Sequence, residues 1–151
     1  MSAERTGTRS VTAGCIDASL VVRLLDADPA VVTAWERLVR SDGDLIAPSL
    51  LHYEVANALH QQQRTGRITA ETAYDGLRRV LCLPLELHGD ARLHSRALEI
   101  AHEHQMQATY DAHYVALAER FRVPLWTCDR RLAAELGDGL PEVHLVPSGL
   151  S

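Results

Sequence analysis

The chain has 151 residues, of which 46% are hydrophobic and 23% charged, and its formal net charge at pH 7 is −5. These values are typical of a globular protein of one domain, and no apolar run reaches the roughly 18 residues that a membrane-spanning helix needs. The first ten residues are polar and lack the apolar segment of a signal peptide, so we predict a cytoplasmic protein that does not associate with a membrane.

Apolar segments alternate with segments of helical periodicity along nearly the whole chain. The apolar segments predict β-strands at residues 11–17, 45–47, 83–87, 125–128 and 143–146. The segments with a 3.6-residue period predict helices at about residues 20–25, 29–40, 50–64, 69–81, 90–105, 109–122 and 130–136. We predict that Ser19 and Ser49 cap the first and third of these helices, and that Gly66 ends the third.

Strands that alternate with helices over short connections are typical of an α/β fold, in which helices cover both faces of a parallel sheet. No shift in composition marks an internal linker. We therefore predict one domain over residues 11–147, with a flexible N-terminal tail at 1–10 and a C-terminal tail at 148–151. The order of the strands in the sheet cannot be read from their spacing.

The cysteines at positions 15, 82 and 128 are far apart, and each lies in an apolar segment. They form no C-x-x-C pair, so the sequence indicates neither a zinc site nor a disulfide framework. We predict buried, reduced thiols.

All fifteen basic residues are arginine, and the chain has no lysine. The negative net charge alone would count against a nucleic-acid-binding protein, yet arginine binds phosphate through a planar, bidentate guanidinium. An arginine-only composition can equally reflect genomic base composition, so net charge does not decide between these functions. The absence of lysine does exclude a phosphate-binding loop, which requires one.

Four acidic residues lie among apolar neighbours, where an unpaired carboxylate is costly to bury. Asp17 and Asp129 each follow the last apolar residue of a predicted strand, and Glu54 and Asp111 lie within the apolar stretches of two predicted helices. With no lysine available as a partner, this pattern suggests that the carboxylates bind a cation.

The predicted topology brings these acids toward one place. Ligands of α/β proteins bind beyond the carboxyl ends of the parallel strands, and Asp17 and Asp129 lie at two such ends. If their strands are adjacent, one ion can contact both carboxylates. A helical wheel places Glu54 and Asp111 on the apolar faces of their helices, so both side chains should face or flank the sheet.

The acids would form an all-oxygen metal site, which favours Mg²⁺ or Mn²⁺ over zinc. Carboxylates that lie close together raise one another's pKa unless a cation compensates their charge. The alternative is that each acid is a helix cap or forms a half-exposed ion pair with arginine. This alternative explains any single acid well, whereas four such acids together favour the cation site.

The four acidic segments resemble the motifs of the PIN-domain family, and specifically of its VapC-type toxin ribonucleases. The segments are Cys15-Ile16-Asp17-Ala18-Ser19, Tyr53-Glu54-Val55-Ala56-Asn57-Ala58-Leu59, Tyr110-Asp111-Ala112-His113-Tyr114-Val115-Ala116-Leu117-Ala118-Glu119 and Thr127-Cys128-Asp129-Arg130-Arg131-Leu132. Each motif is weak alone, but the four occur in the family's order with family-like separations. The resemblance extends from about residue 11 to residue 146.

The resemblance implies a three-layer α/β/α sandwich with a central parallel sheet of about five strands. It also implies a Mg²⁺- or Mn²⁺-dependent endoribonuclease that is inhibited by a small antitoxin protein and forms a homodimer. The metal ligands would be Asp17, Asp111 and Asp129, with Glu54 completing the acidic pocket directly or through water. The supporting residues would be Thr127, Ser19 and Asn57.

Three arginines near the predicted site are candidates for contact with the RNA phosphates: Arg23, Arg130 and Arg131. For each of them, a solvated position on a helix surface is an equally good interpretation.

Two other functions remain open. One is a non-catalytic PIN module that binds RNA or protein, although such a module has no need of all four acids. The other is an RNA-maturation nuclease outside any toxin–antitoxin system. An antitoxin gene immediately upstream would distinguish a toxin from a maturation enzyme.

Overall fold

The computed structural model describes residues 11–139 and 141–147. Within these residues, five strands alternate with seven helices. The strands are β1 (Val11–Ile16), β2 (Gly43–Pro48), β3 (Leu85–His88), β4 (Leu125–Thr127) and β5 (Val143–Leu145). The helices are α1 (Ala18–Leu25), α2 (Pro29–Arg40), α3 (Leu50–Arg64), α4 (Ala70–Leu81), α5 (Ala91–Glu103), α6 (Tyr110–Phe121) and α7 (Arg130–Leu136). The predicted tails at 1–10 and 148–151 lie outside the described residues.

The strands form one parallel sheet in the order β3-β2-β1-β4-β5. The predicted α/β fold with a five-stranded parallel sheet is therefore confirmed. Strand β1 is central; β2 and then β3 are added to one side of it, and β4 and then β5 to the other. Because crossovers between parallel strands are right-handed, this order puts α1 to α4 on one face and α5 to α7 on the other. The strand order reverses between β1 and β4, where a ligand crevice is expected.

Helix α6 is the most deeply buried helix of the described chain. Residues 112 and 114–118 are all buried, because α6 lies between α5 on one side and strands β1 and β2 on the other. A helix enclosed in this way presents apolar side chains in nearly every direction. Its first turn, which carries Asp111, therefore has a fixed position relative to the sheet.

Several predicted boundaries differ from the structure by one or two residues. Strand β2 begins at Gly43 rather than residue 45, because its register with β1 pairs Val11 with Gly43. Strand β3 begins at Leu85 rather than residue 83, because the backbone N–H of Leu83 still bonds to the end of α4. Helix α5 ends before Gln105, whose φ of 51° is incompatible with a right-handed helix.

The predicted cap of α1 is wrong by two residues. The N-cap is Asp17, whose carboxylate accepts a hydrogen bond from the backbone N–H of Leu20. Ser19 lies inside the first turn instead, and its hydroxyl points toward Asp17. Ser49 does occupy the N-cap position of α3 but makes no capping hydrogen bond with its side chain. Gly66 follows the end of α3 with a φ of 76°, as predicted.

The prediction of buried thiols holds only in part. All three cysteines are free, but only Cys15 is buried, whereas Cys128 is half-buried and Cys82 is exposed at the end of α4. Among the described residues, no helix is both long and apolar enough to cross a membrane.

Gly14→Ala should destabilise the fold, because the indole of Trp126 packs directly over Gly14. A Cβ at this position would lie 2.9 Å from Trp126 Cδ1 and Nε1, and stacking of the indole on His144 restricts its movement away. We expect a loss of about 1–3 kcal/mol in the free energy of unfolding, measured by urea denaturation. In the control Gly139→Ala, the new Cβ meets no atom closer than 3.6 Å, so an equal loss in both variants would contradict this explanation.

Candidate functional site

Two of the four acids lie side by side at the carboxyl ends of β1 and β4. These strands are adjacent and parallel, with Ile16 paired to Trp126, so the adjacency on which the predicted site depends is present. Asp17 follows β1 and caps α1, and Asp129 follows β4 and caps α7. Both acids lie at positive ends of helix dipoles, which favours their ionised form.

Asp17 is the most deeply buried of the four acids, with 5% of its surface exposed. Its Oδ1 accepts hydrogen bonds from the Leu20 N–H at 3.1 Å and from the Ser19 hydroxyl at 2.7 Å. Its Oδ2 accepts a hydrogen bond from the Thr127 hydroxyl. A carboxylate has about four acceptor positions, so one remains on Oδ2.

The two hydroxyls that bind Asp17 also fix the backbone that follows β4. Each hydroxyl has a single hydrogen, which it donates to Asp17, so the oxygen itself is left as an acceptor. The Ser19 oxygen accepts from the Cys128 N–H at 2.9 Å, and the Thr127 oxygen accepts from the Asp129 N–H at 2.9 Å. Hydrogen bonds thus connect the first acid to the backbone of the second.

Burial dominates the electrostatics of Asp17. It raises the pKa of this carboxyl to about 6, although the hydrogen bonds from Thr127, Ser19 and Leu20 oppose the shift. The negative charge of Asp129 raises the pKa of Asp17 further. The mutual repulsion expected in a cluster of carboxylates is therefore present between these two acids.

Glu54 is held by Tyr114, a residue that no pattern in the sequence marks as part of the site. The hydroxyl of Tyr114, one of the most buried side chains of α6, donates to Glu54 Oε1 at 2.7 Å. Burial raises the pKa of Glu54, the Tyr114 hydrogen bond lowers it, and the charge of Asp111 raises it. Burial and the charge of Glu54 hold the pKa of Tyr114 far above its ordinary value, so the phenol remains a donor.

Asp111 faces Asp129 across the crevice, and Arg131 bridges the two. Arg131 Nη2 lies 3.0 Å from Asp111 Oδ2 and 3.7 Å from Asp129 Oδ2. Its Nη1 lies 3.4 Å from Glu135 Oε2, one turn further along α7. Asp111, Glu54, Arg131 and Glu135 line one cleft of about 770 Å³, which opens to solvent beside α6.

The four carboxylates have oxygens suited to a hard divalent cation but are not arranged as its coordination sphere. Among the described residues, no group of three or more His, Cys, Asp or Glu side chains forms a site that could hold a metal ion. Glu54 and Asp129 each bind a protein donor through one oxygen, and Asp17 binds donors through both of its oxygens. Acceptor positions remain on Oδ2 of both aspartates and on Oε2 of Glu54. Carboxylate donors of this kind fit Mg²⁺ or Mn²⁺.

The remaining predicted site residues make fewer contacts. Asn57 is exposed on α3, and its side chain takes part in none of the hydrogen bonds of the described residues. Arg130 is exposed in the first turn of α7. Arg23 is half-buried at the end of α1, where its charge opposes the burial that raises the pKa of Cys128 to about 11. The predicted RNA contacts of these arginines remain predictions.

Comparison with known proteins gives a consistent set of relatives. The family model of the PIN domain matches residues 14–135. Ribonuclease VapC3 from Pyrobaculum aerophilum is 34% identical over 120 residues, which cover 78% of this chain and 90% of that protein. Ribonuclease VapC1 from Mycobacterium tuberculosis is 35% identical over 133 residues, which cover 87% of this chain and 96% of that protein.

Solved structures with the same fold include a protein from Pyrobaculum aerophilum, with a TM-score of 0.66 and 25% identity. The match covers 95% of this chain and 92% of that chain. A toxin–antitoxin complex from Klebsiella pneumoniae matches with a TM-score of 0.60 and 18% identity, covering 90% of this chain and 99% of that chain.

Asp17→Asn should remove part of the pH dependence of stability in the metal-free protein. The pKa of Asp17 is about 6, against an ordinary value of 3.8, so the folded protein binds this proton more tightly than the unfolded chain does. The resulting stabilisation is fully present below about pH 4 and is lost as the pH rises through about 6, by about 3 kcal/mol in total.

The measurement is the difference in unfolding free energy between wild type and Asp17→Asn, from urea denaturation in EDTA across this pH range. The difference is needed because other carboxyls, such as Asp90 with its pKa lowered by Arg120, give the opposite slope in both proteins. Parallel pH profiles for the two proteins would show that burial does not perturb Asp17.

Tyr114→Phe should destabilise the protein by about 1–2 kcal/mol, because it removes a hydrogen bond to a partly buried carboxyl group. Urea denaturation measures the loss. Tyr74→Phe is the matched control, since Tyr74 is exposed on α4 and its hydroxyl makes no hydrogen bond within the described residues. If both variants are as stable as wild type, the hydrogen bond to Glu54 has no energetic importance.

Proposed function

Since this chain belongs to the VapC ribonucleases of the PIN-domain family, we propose that it is a Mg²⁺- or Mn²⁺-dependent endoribonuclease and the toxin of a toxin–antitoxin pair. The observation that carries this proposal is the grouping of Asp17, Glu54, Asp111 and Asp129 around one crevice. The charges of Asp17 and Asp129 interact, as do those of Glu54 and Asp111. Arg131 contacts the second member of each pair.

In the proposed site, Asp17, Asp111 and Asp129 hold the divalent ion and Glu54 completes the pocket. Asp17 is held by three hydrogen bonds, since Ser19, Leu20 and Thr127 donate to its two oxygens. When bound, the ion supplies an activated water and neutralises charge on the phosphodiester. Its positive charge also allows a protein of net charge −5 to bind an RNA phosphate.

The protein's own residues would orient the substrate. Arg130 and Arg131 lie in the first turn of α7, and Arg131 lines the cleft. A guanidinium can bind a phosphate through two hydrogen bonds. Arg23, in the last turn of α1, is a third candidate. Ser19 and Thr127 support the site through their hydrogen bonds to Asp17. Asn57 is included as a supporting residue only because of its position in the family motif.

We assign one PIN domain to residues 11–147, and the family match at 14–135 supports this extent. We propose that a small cognate antitoxin protein inhibits it. The structures with this fold, which include a toxin–antitoxin complex from Klebsiella pneumoniae and VapBC2 from Rickettsia felis, support an antitoxin partner. We propose that the toxin is a homodimer and acts in the cytoplasm, where its RNA substrate is present.

A ribonuclease assay with and without divalent ions tests the function. We expect cleavage of RNA with Mg²⁺ or Mn²⁺, no cleavage in EDTA, and a loss of about 100-fold or more in Asp17→Asn. Asp138→Asn, which changes an exposed aspartate beyond α7, is the control and should retain wild-type activity.

Equal cleavage under all of these conditions would rule out the metal-dependent mechanism. Absence of cleavage of any RNA, together with no rise in melting temperature on addition of Mn²⁺, would favour a non-catalytic module that binds RNA or protein.

A further inference from the structure

Arg131 occupies an unusual position for an exposed arginine. Its side chain is 67% exposed, yet the guanidinium is directed back into the crevice rather than outward. A single nitrogen, Nη2, contacts the carboxylates of two different elements, Asp111 on α6 and Asp129 before α7. The contact across the crevice, at 3.0 Å, is the shorter of the two.

One carboxylate oxygen of each acid faces this nitrogen. Asp129 Oδ1 is engaged by the N–H of Leu132, at 3.1 Å, as the cap of α7. Its Oδ2 is the oxygen that faces Arg131, and the facing oxygen of Asp111 is likewise Oδ2. Nη2 therefore marks a point at which a positive charge is stabilised from two sides.

A divalent ion cannot share this position with the guanidinium. A magnesium ion binds carboxylate oxygens at about 2.0–2.1 Å, so an ion held by both Oδ2 atoms would compete with Nη2 for the same two oxygens. The positive charges of the two would also repel each other. One of them must leave for the other to bind.

The arginine has an alternative partner when it leaves. Its Nη1 is already 3.4 Å from Glu135, four residues further along α7. Exposed ion pairs of this kind are weak, with a contribution that corresponds to a change in affinity of at most about fivefold. The pairing with Asp111 and Asp129 is therefore weak enough for a divalent ion to displace.

We propose that Arg131 is an internal counter-ion, which neutralises Asp111 and Asp129 in the metal-free protein and competes with the divalent ion for them. This inference rests on the proposed function, because the competing ion is the one that the ribonuclease requires. The competition lowers the apparent metal affinity. Displacement also releases the guanidinium at the rim of the cleft where the RNA phosphate is proposed to bind.

The test is calorimetric titration with Mn²⁺ alone, without RNA, on wild type, Arg131→Gln and Arg130→Gln. We expect Arg131→Gln to bind Mn²⁺ about three- to fivefold more tightly than wild type. Arg130→Gln removes the same charge from the neighbouring exposed position, so it corrects for the general effect of net charge and should change the affinity much less.

A second measurement follows the arginine itself in the wild-type protein. In ¹⁵N-labelled protein, the Nε–Hε NMR signal of Arg131 should shift as Mg²⁺ is added, with the same midpoint as metal binding. The Arg130 signal should stay in place. This readout does not depend on any variant folding correctly.

The outcomes separate this inference from the proposed function. If wild type binds Mn²⁺ but Arg131→Gln binds no more tightly than Arg130→Gln, or if the Arg131 signal does not respond to bound Mg²⁺, the counter-ion role is wrong and the metal site stands. If neither wild type nor Arg131→Gln binds Mn²⁺, both proposals are wrong.

Discussion

The buried carboxylate of Asp17 is the group on which the rest of the site depends. It lies between β1 and β4, where water has little access, and burial raises its pKa to about 6. The hydroxyls of Ser19 and Thr127 replace the missing water as hydrogen-bond donors. The same two hydroxyls accept hydrogen bonds from the backbone of Cys128 and Asp129. Satisfying one buried acid therefore determines the position of a second.

An acid of this site can be a helix cap or ion-pair partner and still be a metal ligand. A helix cap or an arginine ion pair would explain each acid without a metal, and Asp17, Asp111 and Asp129 do have such partners. Capping, however, uses only Oδ1 of Asp17 and Asp129, and leaves acceptor positions on Oδ2. The structural contact fixes the side chain, and Oδ2 keeps an acceptor position for a ligand, although Oδ2 of Asp17 also accepts a hydrogen bond from Thr127. Arg131 is the exception, since its pairing occupies the oxygens that a metal would use.

The parts of the site that the sequence predicted are those with a local pattern. An acid after an apolar strand, as at Asp17, is visible in the sequence, and so are the helices and the parallel sheet. The prediction that Ser19 caps α1 was wrong. Serine and aspartate are both good helix caps, so the choice between Ser19 and Asp17 depends on where β1 ends. Tyr114 follows Asp111 by one helical turn, but its contact with Glu54 joins residues 60 positions apart. Contacts of that kind depend on strand order, which the sequence did not reveal.

Anomalous X-ray diffraction from crystals grown with Mn²⁺ would locate the ion directly. We expect one site in the crevice between β1 and β4, with carboxylate oxygens of Asp17, Asp111 and Asp129 within about 2.2 Å of the ion. The guanidinium of Arg131 should have turned away toward Glu135. An ion bound elsewhere on the protein, or an Arg131 that still bridges Asp111 and Asp129 at saturating Mn²⁺, would contradict this arrangement.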